Sequence, residues 1–381
     1  MRRVGAVLLT MSVMAAGAGV QAQAAKGGDA RDEGALHVYF IDVEGGQSTL
    51  FVGPGTARRR AGGRGAEYQP GESLLVDTGN PDMRNPSAPR DASRIAAVAK
   101  IAGVTKIDNL VITHYHVDHV GGLPQLTALI PVERFIDHGV NREDASVQGG
   151  KATVAAYDAY QKVLSEGHAQ HLTVKPGDVL PVKFMKVQVV SADGEVIAKA
   201  LPAGGGQNAA CANSPEKPIE NTENDRSVGM VMTFGKTRIL DLGDLTWGKE
   251  RGLMCPVNKV GKVDVYVVSH HGLDRSGSPA LVDAVAPRIA IMDNGGHKGG
   301  AASTFETIEA TKPPAGRLEG LWQLHTAEAN DAQHNVAESH IANLAATKPD
   351  AANYIELTVR KDGSMSVMNS RTGESVEYPA K

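Results

Sequence analysis

Short β-rich runs alternating with helical windows predict an α/β (α+β) fold, a layered sandwich with two sheets packed face to face and helices outside. Three observations carry that reading. Apolar runs of strand length, bounded by Gly, Pro or Asn, recur along the whole chain. Windows with apolar residues at helical spacing fall between them. The second half then repeats the order of the first, as two half-sandwiches would.

In the first half, strands are expected over 36–42, 48–52 and 74–77, followed by a helix over 93–102 with Ser93 as its cap. A buried strand over 109–113 leads into a His-rich turn. Helix 123–130, strand 134–137 and helix 152–164 come next. In the second half, strand 187–191 follows the turn Pro176-Gly177-Asp178, and a hairpin joins 228–234 to 237–242 around Gly235-Lys236. Strand 263–269, helix 279–285 and strand 288–292 precede a closing hairpin of 354–359 and 364–369. The loosest stretch, 204–224, is expected to lie as a loop over the functional site.

The 381 residues allow two domains, yet no linker and no repeat divides them, so one domain over 36–375 is expected. Aromatic residues make up only 4%, which leaves the core to Val, Ile, Leu, Met and Ala. Residues 1–24 read as a signal peptide: a basic start at Arg2-Arg3, a Gly- and Ala-diluted apolar stretch, and small residues at 22–25. That stretch is short for a membrane span, and no other segment is apolar enough for one. An exported protein, periplasmic or secreted, is the expectation, with no membrane association after the leader is cleaved. The net charge of −4 disfavours non-specific binding of nucleic acid. Arg58-Arg59-Arg60 with Arg64, the one basic cluster, sits in a Gly-rich stretch and reads as a hairpin tip. The only cysteines, Cys211 and Cys255, permit one disulfide in an oxidising compartment and lack zinc-finger spacing.

Chemistry concentrates at Thr113-His114-Tyr115-His116-Val117-Asp118-His119-Val120-Gly121-Gly122. Imidazole nitrogen and carboxylate oxygen suit zinc. On an extended segment His114 and His116 point the same way, and Asp118 and His119 follow where the chain turns toward a second position. Two further motifs end strands in ligand-type residues: Leu240-Asp241-Leu242-Gly243-Asp244 and Val267-Val268-Ser269-His270-His271-Gly272. A carboxylate that bridges helps hold two cations together.

These motifs resemble the metallo-β-lactamase superfamily, whose pattern is His-x-His-x-Asp-His after a strand, then a bridging Asp and a final His. The resemblance spans roughly residues 36–300 and implies a four-layer αββα sandwich. Within the superfamily the chain looks like the branch holding the competence DNA-uptake hydrolase domain and phosphorylcholine esterases, through Phe40-Ile41-Asp42-Val43, Asp77-Thr78-Gly79, Asn224 to Ser227, Gly243-Asp244 and His270 to Gly272. By resemblance, His114 and His116 bind one zinc ion and Asp118 and His119 a second. Asp244 bridges them, and His270 or His271 completes the second, His270 being favoured as nearer the strand. Asp77 looks like the acid that orients a ligand histidine. The family's further His, in a His-Thr-x-Gly-like turn, has no counterpart, and His138 and Asn224 are the candidates to approach that position or the substrate. Glu44-Gly45-Gly46-Gln47-Ser48 departs from the Gly-Gln-Gly-Asp of the competence branch, so activity on DNA does not carry over.

The expected function is a zinc-dependent hydrolase with two ions, in which a metal-bound hydroxide attacks and Asp118 orients it and shuttles a proton. The substrate class is a phosphoester or other small-molecule ester, with a β-lactam or lactone as the alternative and a non-catalytic metal-stabilised binding protein as a second. His116 in place of an acid argues for zinc over a di-iron centre. His297, Lys298 and His325 are candidate substrate contacts.

Overall fold

The computed structural model describes residues 34–59, 66–85, 89–314, 316–345 and 351–381. The leader expected over 1–24 lies outside them, as do Arg60 and Arg64 of the basic cluster. Arg58 and Arg59 close strand Thr56–Arg59, which pairs with Ala66–Gln69 as a small hairpin.

Two large sheets form the centre. The first runs Ser375–Tyr378, Met365–Asn369, Ile355–Val359, Leu36–Phe40, Thr49–Val52, Ser73–Val76, Asn109–Val111, Arg134–Asp137 and Gln170–Thr173. The second runs Glu195–Val196, Lys186–Ala192, Gly229–Phe234, Thr237–Asp241, Val265–Val267, Ile289–Met292, Gly320–His325 and Ile341–Asn343. Each sheet is antiparallel on one side and parallel on the other, and the parallel part starts at Ser73–Val76 in one and at Thr237–Asp241 in the other.

Period-two alternation sorts the side chains into layers. Val38, Phe40, Phe51 and Val111 of the first sheet meet Val189, Met230, Ile289 and Trp322 of the second. Tyr39, Leu50, Leu75 and Leu110 turn to the other face and pack on helices Arg90–Ala102, Leu123–Thr127 and Gly150–Glu166. Val231, Leu240, Tyr266 and Ala290 do the same for helices Trp247–Met254, Pro279–Val285 and Ala302–Glu309. The result is the expected αββα order, and its central strands are buried on both faces, as parallel strands under helices must be. No helix among the described residues is long and apolar enough to cross a membrane.

Two local expectations need correction. The helix expected to be capped by Ser93 starts at Arg90 behind Pro89, the extended N-cap residue (φ −66°, ψ 132°), and Ser93 sits inside the first turn, its N–H bonded to the Pro89 carbonyl. The stretch 204–224 is not a lid over the site. Gly206–Gln207 pairs with Val257–Asn258, Cys211 is disulfide-bonded to Cys255, and the Asn208 amide donates to the carbonyls of Met254 and Ala280. These bonds pin it to helices Trp247–Met254 and Pro279–Val285, and only its end, around Glu223, reaches the His-rich turn.

Candidate metal centre

Each motif residue sits just past the C-terminal end of a parallel strand, where open α/β sheets leave room for ligands. Asp77 follows Ser73–Val76, and His114 follows Asn109–Val111. Asp244 follows Thr237–Asp241, and the His270–His271 pair follows Val265–Val267. Stacking the two sheets brings these ends together.

Asp118, His119, Asp244 and His271 form one group whose ligand atoms all lie within 4.8 Å of one another. His119 Nε2 is 3.4 Å from Asp118 Oδ2, 3.2 Å from Asp244 Oδ2 and 3.2 Å from His271 Nε2. His271 Nε2 is 3.2 Å from Asp118 Oδ2 and 3.5 Å from Asp244 Oδ1. A tetrahedral zinc site with ligands at about 2.0–2.2 Å has ligand–ligand edges of about 3.3–3.6 Å. The four residues match that size without rearrangement. His271, rather than the His270 favoured from the sequence, joins Asp118 and His119.

Asp77 stands behind this group, fully buried and with φ +60°. Its carboxylate accepts from the Thr113 N–H at 2.7 Å, from Thr113 Oγ1 at 2.6 Å and from His119 Nδ1 at 2.7 Å. Holding Nδ1–H outward leaves His119 Nε2 facing the group, the usual way a carboxylate sets a ligand histidine. Burial pulls the His119 pKa down, but Asp244, Asp118 and Asp77 outweigh it and hold the imidazole well above its ordinary value. Burial pushes Asp118 up, but His119, His271 and Lys298 hold it well below the carboxylate range, and histidines do the same for Asp244. The carboxylates and imidazoles of the group thus stabilise one another's charged forms.

On the other side of Asp244 lie His114 and His270. Asp244 Oδ2 is 3.8 Å from His114 Nε2 and 3.3 Å from His270 Nε2. His114 is fully buried, its Nδ1 3.1 Å from Thr113 Oγ1 and its Nε2 without a hydrogen-bond partner. Asp244 Oδ1 is likewise buried and unpartnered. Burial above all drives the His114 pKa well below its ordinary value, leaving a neutral ring with a lone pair. An orphaned acceptor pair of this kind is costly unless an ion fills it.

His116 lies next to His114, ring centroids 4.7 Å apart. Its Nε2 is 3.1 Å from Glu143 Oε2. Glu143 is itself anchored by Thr153 Oγ1 at 3.0 Å and by the Glu223 N–H at 2.9 Å. Sequence reasoning missed Glu143, since it sits in an irregular loop with no motif around it. Thr113 and Ser227 lie inside motifs but, like Ser276, carry no local signal that they partner the histidines. Ser227 Oγ lies 3.5 Å from His114 Nδ1 and accepts from the Asp244 N–H at 3.2 Å.

His138 is not brought to the group. Its Nε2 is 3.0 Å from Glu223 Oε2 and its ring packs on Tyr115 with centroids 4.6 Å apart. Glu223 also receives the backbone N–H groups of Tyr115 and Arg142, so His138 belongs to the support of the His-rich turn. Asn224 is buried with its Oδ1 unpartnered. Of the substrate-contact candidates, Lys298 forms an ion pair with Asp118 Oδ2. His325 is engaged elsewhere, 2.6 Å from Asp42 Oδ1, and His297 is 86% exposed. Asp42, Glu44 and His325 make a second acidic group, but Arg94 already reaches both carboxylates, at 2.8 and 3.3 Å.

Residues 67–182, which hold Asp77, the His-rich turn and Glu143, match the family model described as the metallo-beta-lactamase superfamily. The chain carries a metallo-β-lactamase superfamily domain. Its two sheets between helical layers have the metallo-β-lactamase fold. No curated protein matches the sequence. Among solved structures, the metallo-β-lactamase fold protein YhfI from Bacillus subtilis is similar at 14% identity over 76% of this chain and 95% of that one, with a TM-score of 0.40. A diphosphatase of the PhnP family is similar at 13% identity over 68% of this chain and 87% of that one, TM-score 0.33. CmlA, a diiron β-hydroxylase from Streptomyces venezuelae, is similar at 15% identity, TM-score 0.33, over 68% of this chain and 45% of CmlA. The residues gathered around Asp244 fit the metal dependence of the superfamily in donor type, spacing and unpaired acceptors.

Proposed function

We propose that this protein is an exported zinc-dependent hydrolase with two ions per chain, acting on a phosphoester. The observation that supports it best is the convergence of Asp118, His119, Asp244 and His271 within 4.8 Å, with His114 unpaired alongside. In this reading Asp118, His119 and His271 hold one ion, His114 and His116 the other, and Asp244 spans both. When bound, such ions lower the pKa of water toward neutrality and act as Lewis acids on a phosphoryl or carbonyl oxygen.

The chain's own residues do the rest. Asp77 holds His119 with its Nε2 inward. Asp118 would help hold one ion and orient the attacking water. Lys298 presents a cation at the mouth, 40% exposed and on Asp118, where an anionic substrate oxygen would arrive. This supports the phosphoester over a neutral lactone or β-lactam, and it agrees with the likeness to the phosphorylcholine esterase branch. The Cys211–Cys255 disulfide supports export, since such bonds persist in oxidising compartments.

A zinc-loaded preparation assayed on a phosphodiester, a phosphomonoester, a lactone and a chromogenic β-lactam tests the reading. Phosphoester turnover is expected, and His116→Ala or Asp118→Ala should abolish it. Turnover that persists in both variants would refute the assignment of the centre. A preparation that holds less than one zinc ion and turns over nothing would favour a binding protein.

A further inference from the structure

The sequence supplies the first ion position with only two histidines, His114 and His116, and the turn that would bring a third is missing. We propose that the consecutive pair His270–His271 divides between the two ions, with His271 completing the Asp118–His119 position and His270 serving as the missing third histidine of the His114–His116 position. This rests on the two-ion reading above and extends it to a ligand set.

Backbone geometry makes the division feasible. His270 and His271 both adopt left-handed conformations, φ 56° and 55°, on a tight turn ending in Gly272. Left-handed non-glycine residues are strained and persist where the surroundings over-determine them. Here the turn places two adjacent imidazoles on one carboxylate, with ring centroids 6.2 Å apart and planes at 74°. His271 Nε2 approaches Asp244 Oδ1, while His270 Nε2 approaches Oδ2 at 3.3 Å. Oδ2 also lies 3.8 Å from His114 Nε2 and 3.2 Å from His119 Nε2, so it is the oxygen between the two positions.

The outer nitrogens show which atom each ring offers. Ser276 Oγ donates toward the Asp244 carbonyl at 3.5 Å, so it accepts from His270 Nδ1–H at 3.1 Å and leaves Nε2 as a lone pair. Thr113 Oγ1 donates to Asp77, so it accepts from His114 Nδ1–H and likewise frees Nε2. Glu143 accepts from His116 Nε2–H, which leaves Nδ1. The free Nε2 atoms of His270 and His114 thus both lie beside Asp244 Oδ2, at 3.3 and 3.8 Å, and crowd acceptors there. A cation resolves that repulsion, and such an N3O set suits zinc.

The test counts ions rather than turnover. Wild type, His270→Ala, His271→Ala and the double variant are loaded by dialysis against zinc. Metal content is read by elemental analysis and affinity by chelator competition, with circular dichroism of the metal-free proteins as the folding control. Two ions in the wild type, one in each single variant and none tightly held in the double variant are expected. The lost ion should weaken by at least about 100-fold, beyond what removing a mere supporting partner does. If both histidines served one position, the double variant would keep one ion at wild-type affinity. That result, or two unweakened ions in His270→Ala, overturns the proposal. A wild type that holds two ions but hydrolyses nothing would instead overturn the hydrolase reading and leave this assignment standing.

Discussion

Asp77→Asn isolates the carboxylate that orients His119. The backbone at Asp77 has φ +60°, and Asn tolerates that conformation nearly as well as Asp, so the change acts through the side chain. Asp77 accepts three hydrogen bonds and donates none. An amide brings one oxygen and one NH2, and the NH2 must point at one of three groups that already donate. At least one buried donor is left without an acceptor, which costs about 1–3 kcal/mol of stability. His119 also loses the charge that holds its Nδ1–H outward, and outer partners of this kind change metal affinity by about 10–100-fold. That corresponds to about 1.4–2.8 kcal/mol of binding. Chelator competition should show this weakening at the Asp118–His119–His271 position, with the other ion less affected. The chemical-denaturation midpoint of the metal-free protein should fall as well. Wild-type zinc affinity in Asp77→Asn would refute the claim that Asp77 positions His119.

Three further outcomes are expected. Glu250 is fully buried and accepts from the Gly277 and Ser278 N–H groups; burial, outweighing those bonds and Lys217, pushes its pKa up to about 7 from 4.5. Below about pH 4.5 the carboxyl is protonated folded and unfolded; between there and pH 7 only the unfolded chain ionises. Stability therefore falls by about 3 kcal/mol across that window and levels off above it, and Glu250→Gln should flatten this component in urea titrations. The Cys211–Cys255 bridge closes a 44-residue separation, so Cys211→Ser with Cys255→Ser should lower stability by about 4 kcal/mol while zinc affinity is unchanged. Lys298→Met should raise KM for an anionic phosphoester about tenfold with kcat changed less, in steady-state assays; an unchanged KM would remove Lys298 from the substrate's path.

Much of the fold was legible because its strands obey one rule. Apolar runs buried on both faces end at Gly, Asn or Asp, so strand 134–137 appears in the structure with the expected bounds; helix 279–285 does too, capped by Ser278 and started by Pro279. The misreadings are cases where tertiary contact decides. Strand Gln170–Thr173 is exposed along its length and carries no apolar alternation to read; its place comes from pairing with Arg134–Asp137. The stretch 204–224 looked loose because its composition is polar, yet a disulfide, a two-residue pairing and the Asn208 amide fix most of it to the outer helices. Such bonds join residues 40 or more apart and leave no local trace.

The same division runs through the site. Ligand types could be read from the sequence, since His and Asp at strand ends are conspicuous. Which atom each one offers could not be, because that depends on partners the motifs do not contain. Glu143 reaches His116 from 27 residues away, and Asp77 reaches His119 from 42. The His270–His271 choice shows the difference most plainly. Distance from the strand favoured His270, on the premise that a chain leaving a strand stays extended. Two successive left-handed residues break that premise, because they turn the chain tightly and bring both rings onto Asp244. A sequence rule for extended chains selects one histidine, whereas the turn that forms presents two, both beside the Asp244 carboxylate.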